Sequence, residues 1–420
     1  MGDVGRATHL QCRLTLSTVE LTRAPERTGL VKNEVDPDMN QSGNAGTVYD
    51  RLGVKRLING HHWRTVLGGS IMPPAVVEAM ADSAGYFVNL EDLHRKAGEY
   101  IAGLTGAGGA MVTAGCAAAQ VLQAAACMTG TDAAKVASLP NSGGMKNEVI
   151  IQRCQRNHYD SAYEVAGAKI VEIGSEDATG PAELESAITG RTAAVAYVWV
   201  MRYWGLSLEE VIEIAHARGV PVVLDAASEL PPVENLGRFI SMGADMVAFS
   251  GGKGIRGPQS TGILTGRADL MEAAWENAFS FNKPRAGIGR AMKVCKEEIV
   301  GLVAALELFV DADHEAEWAD WRAKSQRIVD AAAGVEGVEA YVHEGPNYEG
   351  PTAPTAWVVL GESWQGPSVE DVERALLRGD PPIYIGSGPG ERELWVAPVE
   401  LQEGEEDIVA LRLVEALTSR

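Results

Sequence analysis

The sequence predicts an α/β protein with a large domain built on a mostly parallel sheet and a small α+β domain at the C-terminal end. Short apolar segments alternate with helical segments of roughly ten residues, a pattern typical of a doubly wound parallel sheet. Two of the apolar segments, 220–224 and 245–249, each end at a polar residue, Asp225 and Ser250. After position 306 the pattern changes, because short strands there are mixed with two helices.

Seven strands are predicted in the large domain, residues 61–305. They occupy residues 110–113, 148–151, 168–173, 193–199, 220–224, 245–249 and 261–264. The last of them is a candidate for an antiparallel strand. Helical periodicity fills several connections, at 75–104, 181–189 and 208–218.

Two further parts flank this domain. Residues 1–60 are mixed and polar, and we interpret them as an N-terminal extension or small-domain segment. A long helical stretch, 291–333, leads into the small domain, residues 306–420. The small domain is predicted to contain strands at 356–360, 383–385 and 393–396 and helices at 369–377 and 406–417.

Composition and charge exclude several classes of protein. The chain has 420 residues, of which 46% are hydrophobic and 22% charged, as in an ordinary folded protein with two lobes. The net charge of −21 and the lack of a long Lys/Arg run argue against nucleic acid as a partner. No apolar run reaches the length of about 18 residues that a membrane span requires, and no signal-like leader opens the chain. The five cysteines are odd in number and form no CxxC pair, so we expect neither disulfides nor a zinc site, and a cytoplasmic protein.

Asp225 and Lys253 are the first candidates for a functional site. Both follow strands of a predicted parallel sheet, and ligands of such sheets bind beyond the carboxyl ends of the strands. A lysine that forms a Schiff base, paired with an aspartate at the pyridine nitrogen, indicates pyridoxal 5'-phosphate. The glycines around Lys253 allow close backbone approach. Solvated caps at strand ends are the alternative interpretation.

The turn Gly115-Cys116-Ala117 is a candidate phosphate site. It connects the predicted strand 110–113 to an alanine-rich helix. The free amides at a helix N-terminus bind phosphate well, and small residues let the backbone come close. A tight turn that only packs the helix is the alternative.

Histidines and an arginine complete the set of candidates. His158 follows the predicted strand 148–151 and is placed to lie over a cofactor ring. We expect His61, His62 or Arg64 to contribute polar lining to the pocket. A metal site is not predicted, because adjacent histidine side chains point apart and no third ligand follows at useful spacing.

From about Tyr49 to Leu306 the chain resembles the selenocysteine synthase-like group of pyridoxal-phosphate enzymes. Four segments carry the resemblance: LTGAGGAMVTAGCAAA, VPVVLDAASELPP, GADMVAFSGGKGIRGPQSTGIL and IGRAMKVCKEEIVGL. Within the group, the sequence is more similar to the branch of D-glucosaminate-6-phosphate ammonia-lyase. The resemblance implies fold type I, as in aspartate aminotransferase, and a homodimer or larger homo-oligomer.

The resemblance also implies roles for individual residues. Lys253 would be the Schiff-base lysine and Asp225 the partner of the pyridine nitrogen, while His158 would lie near the ring. Ser250 and the Gly115–Ala117 turn would lie near the phosphate. Residues that would reach the phosphate of a neighbouring subunit are Gln259, Ser260 and Thr261.

Two departures from the group limit what is carried over. The N-terminal segment is short and not basic, so we do not expect selenium transfer to a tRNA. Where relatives have small residues, this chain has His61, His62, Trp63 and Arg64, so the sugar-acid substrate is not carried over either.

The favoured function is lyase-type chemistry on a small polar α-amino acid with a β-hydroxyl or other β-substituent, through a Cα carbanion or quinonoid. Lys253, His158, His61 and His62 are candidate catalytic residues. Arg64, Arg285 and Arg378 are candidates for binding the substrate, and of these Arg285 and Arg378 are the candidates for its carboxylate. One alternative is an O2-dependent monooxygenase-decarboxylase that forms a carboxamide, as in nucleoside-antibiotic pathways. Another is an inert relative that binds the cofactor or tRNA without catalysis.

Overall fold

The computed structural model describes residues 47–278, 286–345 and 353–419. Residues 47–54 belong to a unit of their own, whose helix α1 (Val48–Leu52) is capped by Thr47. All other elements belong to the unit that starts at Lys55. The other helices of the described residues are α2 (Pro74–Ala84), α3 (Leu90–Thr105), α4 (Gly115–Thr129), α5 (Ala133–Ser138), α6 (Ser161–Val165), α7 (Pro181–Ala187), α8 (Leu208–Ala217), α9 (Asn235–Ser241), α10 (Ala268–Ala278), α11 (Lys296–Asp311), α12 (His314–Ala332), α13 (Val369–Leu377) and α14 (Glu405–Thr418).

The strands form three sheets in the described part of the chain. Their bounds are β1 (Ile58–Asn59), β2 (Gly109–Thr113), β3 (Glu148–Gln152), β4 (Lys169–Ile173), β5 (Thr192–Val198), β6 (Val222–Asp225), β7 (Met246–Ser250), β8 (Gly262–Gly266), β9 (Val338–His343), β10 (Thr355–Leu360), β11 (Ile383–Tyr384), β12 (Gly386–Ser387) and β13 (Glu393–Val396).

The large sheet has seven strands in the order β2-β8-β7-β6-β5-β3-β4. All neighbouring pairs are parallel except those of β8, which runs antiparallel to β2 and β7. This confirms the predicted mostly parallel sheet of fold type I. The central strands β5, β6 and β7 are mostly apolar because helices cover both faces, whereas the edge strand β4 carries exposed Lys169 and Glu172.

Alternate residues of each strand enter the two layers of the core. On β7, Val247 and Phe249 join the layer under α3, α8, α9 and α11, while Met246 and Ala248 face α4 and α10. The alanines of α4 let this helix lie close to the sheet, and most of its residues are buried. The carboxyl ends of β5, β6 and β7 therefore lie together at one edge, where Val198 pairs with Asp225 and Asp225 with Ala248.

The C-terminal part forms a smaller lobe. Its antiparallel sheet has the order β12-β13-β10-β9, and a second sheet pairs β1 with β11 in parallel. Strand β1 thus ties the start of the chain's larger unit to the C-terminal lobe, and the Ala397 amide continues the link by donating to the Gly60 carbonyl. The domain boundaries at 60 and 305 stay predictions.

Two predicted helical stretches are interrupted in the structure. The stretch 75–104 divides at Gly85 into α2 and α3, and the stretch 291–333 divides at Ala312 and Asp313 into α11 and α12. Asn89 and Asp313 cap the helices that follow these breaks. Their side chains accept hydrogen bonds from backbone amides of the first turn, so each new helix begins with a capped N-terminus. Among the described helices, none is both long enough and apolar enough to cross a bilayer.

Candidate active site

A cavity of about 600 Å³ lies at the carboxyl edge of the large sheet. Its walls come from the ends of β5 and β6, the loop after β3, the loop after β7 and the segment 62–66. Asp225 and Lys253 both line it, although 27 residues separate them in sequence. The structure therefore brings together the two residues on which the cofactor prediction depends.

Asp225 is buried at the end of β6 and is held by three groups. Gln120 Nε2 donates to Oδ2 at 2.7 Å, the Ala227 amide donates to Oδ1 at 3.0 Å, and Cys116 Sγ lies 3.6 Å from Oδ1. Cys116 and Gln120 are one turn apart on α4, so one face of this helix presents both to the carboxylate. Among the described residues Asp225 forms no salt bridge, and burial raises its pKa against the opposing effects of these donors and Lys253. The site therefore holds a fixed carboxylate that lacks a close cationic partner.

Lys253 lies on a tight loop between β7 and β8. Its Nζ donates to Ser228 Oγ at 3.1 Å. The loop packs directly on backbone, since a Cβ on Gly254 would lie 2.1 Å from the Leu230 carbonyl oxygen and one on Gly252 would lie 2.3 Å from Gln259 Cα. These glycines fix the path of the chain on both sides of the lysine.

The start of α4 provides free backbone amides beside Asp225. The helix begins at Gly115, which has a φ of +81°, and no side chain within the described residues caps it. A Cβ on Gly262 would lie 2.5 Å from the Gly115 carbonyl carbon, so the turn packs tightly on the start of β8. Cys116 is half-buried and Ala117 is exposed. Burial raises the pKa of the Cys116 thiol well above its ordinary value, so its role is to contact Asp225. Ser250, at the end of β7, pairs with Gly262 and is half-buried.

The loop after β3 forms a second wall. Arg156 binds Asp160, which fixes the loop, and His158 and Tyr159 line the cavity with their rings 4.1 Å apart. His158 is exposed, as a residue at the entrance of the cavity would be.

The segment His61 to Arg64 forms the wall that faces the C-terminal lobe. His62 and Arg64 line the cavity, whereas His61 lies behind them, 2% exposed. Arg64 Nη1 donates to His61 Nε2 at 3.0 Å. Burial, and then the charge of Arg64, lower the pKa of His61 to about 3, so His61 is a neutral support for the arginine. The two histidine rings lie only 4.4 Å apart, closer than we expected of adjacent side chains, because Asn59 bonds to the backbone of both residues and tightens the turn.

Several residues predicted from the sequence lie elsewhere. Thr261 is fully buried within its own chain and donates to the Pro258 carbonyl at 2.7 Å. A contact of this residue with a neighbouring subunit stays a prediction. Gln259 and Ser260 are exposed but bind within their own chain, to the Thr65 carbonyl and to Glu298. Arg378 ends α13 on an exposed surface and does not line the cavity of its own chain, so its role as a carboxylate ligand stays a prediction. Arg285 lies outside the described residues.

The structure adds three residues that sequence reasoning missed: Gln120, Ser228 and Glu229. Gln120 and Gln123 are isolated polar residues in an otherwise apolar helix, and both are buried. Two glutamines in an apolar helix indicate contacts with other elements, because buried amide side chains require hydrogen-bond partners. Ser228 and Glu229 follow directly on the loop after Asp225, where the strand-end argument applies to them as well.

The residues around the cavity fit pyridoxal phosphate. The cofactor requires an amine for its aldehyde, an acceptor for its ring nitrogen and a cradle for its phosphate. Lys253 and Asp225 supply the first two in one cavity, and the uncapped start of α4 supplies amides beside them. The fixed carboxylate without an ion-pair partner among the described residues suits a protonated pyridine nitrogen.

Comparison with known proteins gives the same cofactor. Residues 153–353 match the family model of aminotransferase class V. The chain is 33% identical to D-glucosaminate-6-phosphate ammonia lyase of Salmonella typhimurium, over 88% of this chain and 97% of that protein. It is 30% identical to 5'-C-glycyluridine monooxygenase-decarboxylase of a Streptomyces species, over 90% and 94%. It is 27% identical to L-seryl-tRNA(Sec) selenium transferase of Solidesulfovibrio magneticus, over 86% and 82%.

A solved structure of D-glucosaminate-6-phosphate ammonia-lyase superimposes with a TM-score of 0.77 at 32% identity, covering 89% of this chain and 99% of that one. Pyridoxal 5'-phosphate is therefore the cofactor, and the protein is an enzyme. The chain belongs to the fold type I, pyridoxal-phosphate-dependent family that includes D-glucosaminate-6-phosphate ammonia lyase and selenocysteine synthase.

Proposed function

We propose that this enzyme is a lyase that removes the Cα proton and then the β-hydroxyl of a 2-amino-3-hydroxy acid, releasing water and then ammonia. The observation that carries the proposal is the shared cavity of Lys253 and Asp225 at the carboxyl edge of the sheet. The relative at 33% identity supports this class, because D-glucosaminate 6-phosphate is itself a 2-amino-3-hydroxy acid.

The residues of the cavity take separate roles in this proposal. Lys253 and Asp225 hold the cofactor at its aldehyde and ring nitrogen, the start of α4 and Ser250 hold its phosphate, and His158 lies near its ring. Bound pyridoxal phosphate supplies a protonated ring that delocalises the negative charge left at Cα. Lys253 Nζ takes the proton from Cα, and Ser228 orients this amine through the contact at 3.1 Å.

Arg64 binds the acidic group of the substrate. It lines the cavity, and within the described residues its side chain forms no salt bridge. Neutral His61 positions the guanidinium without competing for its charge. His62 contributes to the wall of the pocket between Arg64 and Trp395, with which its ring is nearly parallel.

The test measures ammonia release from serine, threonine and D-glucosaminate with and without its phosphate, in both enantiomers where available. We expect ammonia without oxygen uptake for at least one compound. Lys253→Ala should abolish both the visible absorption of the cofactor and ammonia release, whereas the exposed Lys96→Ala should change neither. Cofactor binding by the wild type without ammonia release from any of these compounds would contradict the lyase.

An oxygen-dependent decarboxylation is the second candidate. The relative at 30% identity over 90% of the chain, named a monooxygenase-decarboxylase, favours it. Oxygen uptake matched by CO2 release, without ammonia, would replace the lyase with this function. A homo-oligomer and the absence of a nucleic-acid partner stay predictions from the sequence.

A further inference from the structure

Glu229 is a carboxyl group of the cavity to which neither cofactor binding nor proton removal assigns a role. It lies four residues after Asp225, on the loop that also carries Ser228, and it lines the cavity together with Lys253. Its side chain is 13% exposed, so it is largely removed from solvent while remaining open to the cavity.

The ion pair of Glu229 is loose. Its partner among the described residues is Arg202, whose Nη1 lies 3.7 Å from Oε2. The guanidinium of Arg202 also forms two other hydrogen bonds, since it donates to the Trp199 carbonyl at 3.0 Å and to the Tyr203 hydroxyl at 2.5 Å. A carboxylate held in a structural ion pair would be expected to form shorter, two-point contacts. The geometry leaves the Glu229 carboxyl directed to the cavity.

Burial favours the protonated form of Glu229 near neutrality. Burial raises its pKa to about 7, and the negative charge of Asp225 acts in the same direction. The cations Arg202, Lys253 and Arg238 oppose this effect. A group with such a pKa can give up a proton at neutral pH and recover it between turnovers.

We propose that Glu229 is the acid that protonates the departing β-group of the substrate; the proposal rests on the lyase function stated above. Lys253 Nζ takes the Cα proton, and the electron pair of that bond becomes the Cα–Cβ double bond. The Cβ–O bond breaks, and its electron pair accepts the Glu229 proton, so that the hydroxyl leaves as water. Tautomerisation and hydrolysis of the resulting enamine then give the keto acid and ammonia.

The test compares two leaving groups. Hydroxide is a poor leaving group that requires a proton, whereas chloride leaves without one, so serine and β-chloroalanine separate this role from a structural one. For Glu229→Gln we expect kcat to fall about 100-fold with serine and to stay within about threefold with β-chloroalanine. Glu234→Gln, at an exposed position outside the cavity, is the matched control and should leave both values unchanged.

A second measurement does not depend on turnover. Infrared spectra of the wild-type holoenzyme at neutral pH should show the band of a protonated carboxyl group that is absent from Glu229→Gln and present in Glu234→Gln. The band should disappear as the pH is raised above 7, following the pKa of about 7.

The outcomes separate this inference from the proposed function. Equal losses with serine and β-chloroalanine, or no infrared band assignable to Glu229, would overturn the role of Glu229 while leaving the lyase intact. A wild-type enzyme that releases no ammonia from β-chloroalanine or from any of the 2-amino-3-hydroxy acids of the panel would overturn the lyase function and, with it, this role.

Discussion

Arg64 is held at the wall of the cavity by a residue that carries no charge. Because the pKa of His61 is lowered to about 3, its ring is neutral near neutral pH and accepts the hydrogen bond from Arg64. A carboxylate in the same place would have neutralised the arginine and reduced its attraction for an anion. The pair thus keeps a positive charge available to the substrate while restricting its direction.

The Arg64 assignment predicts a change in substrate binding. Arg64→Gln should raise KM about 10- to 100-fold with a smaller effect on kcat, since a hydrogen bond between charged groups contributes about 1.5–3 kcal/mol. Steady-state kinetics with the substrate found in the ammonia assay would measure it. Arg218→Gln, at the exposed end of α8 outside the cavity, is the control and should leave KM unchanged. Equal KM values for the wild type and Arg64→Gln would remove Arg64 from the substrate site.

Single residues differ in how well the sequence predicted their place. Asp225 and Lys253 were predictable because both follow strands of a parallel sheet, whose ends meet at one edge. The position of Arg378 outside the cavity lining was not, because the direction of a side chain at a helix end depends on packing that sequence spacing does not encode. Gln120 reaches Asp225 from a different element, a contact that no local pattern specifies.

At the scale of elements, the loop between β7 and β8 sets the position of Lys253 through backbone contacts. Gly254 is pressed against the Leu230 carbonyl, so the lysine loop and the loop after β6 form one packed unit. Lys253 and Ser228 lie on these two loops, which explains why their side chains meet.

Gly254→Ala should therefore displace Lys253. A Cβ at 2.1 Å from backbone requires a shift of the loop, and a misplacement of about 1 Å can cost about 100-fold in rate, so we expect kcat to fall by about that factor. Absorption of the bound cofactor and ammonia release would report the change. Gly103→Ala is the control, because Gly103 is exposed within α3 with no atom near its Cβ position. It should stabilise the protein by about 0.5–1 kcal/mol and leave activity intact. Full activity of Gly254→Ala would contradict this view of the loop.

Elements with strong periodicity were predicted well, and short ones were not. The seven strands of the large sheet appear within two residues of their predicted bounds, because buried parallel strands are nearly all apolar. Strand β1 has two residues, Ile58 and Asn59, and forms only by pairing with β11, more than 320 residues away. The break between α11 and α12 depends on Asp313, which caps α12. The sequence did not predict this break, because the helical pattern continues on both sides of it.

At the scale of the whole molecule, Glu400 joins the site to the C-terminal lobe. Its carboxylate accepts from Trp63 Nε1 at 2.5 Å and from the Ile71 amide at 2.9 Å, and Arg256 Nε lies 4.0 Å away. Trp63 belongs to the cavity wall and Arg256 to the loop of Lys253, so one buried acid connects three distant segments.

The burial of Glu400 predicts a pH dependence of stability. Burial raises its pKa from 4.5 to about 6, so the folded protein binds this proton more tightly than the unfolded chain. The stabilisation is present below pH 4.5 and is lost as the pH rises through 6, a loss of about 2 kcal/mol from this group. Urea unfolding measured from pH 4 to 7 should show a shallower pH dependence for Glu400→Gln than for the wild type. The exposed Glu185→Gln should retain the wild-type dependence; identical profiles for Glu400→Gln and wild type would refute the assignment.

The buried carboxyl group of Asp225 affects the stability of the protein in a cell before the coenzyme binds. Without the vitamin-derived coenzyme, the newly made chain must bury a carboxyl group that forms no salt bridge within the described residues and that Lys253 offsets only in part, and this weakens the fold. The coenzyme then acts as a folding ligand, and its scarcity shifts the population towards forms that proteases degrade. The cellular concentration of the coenzyme would therefore govern how much of this enzyme accumulates as well as the fraction of it that is active.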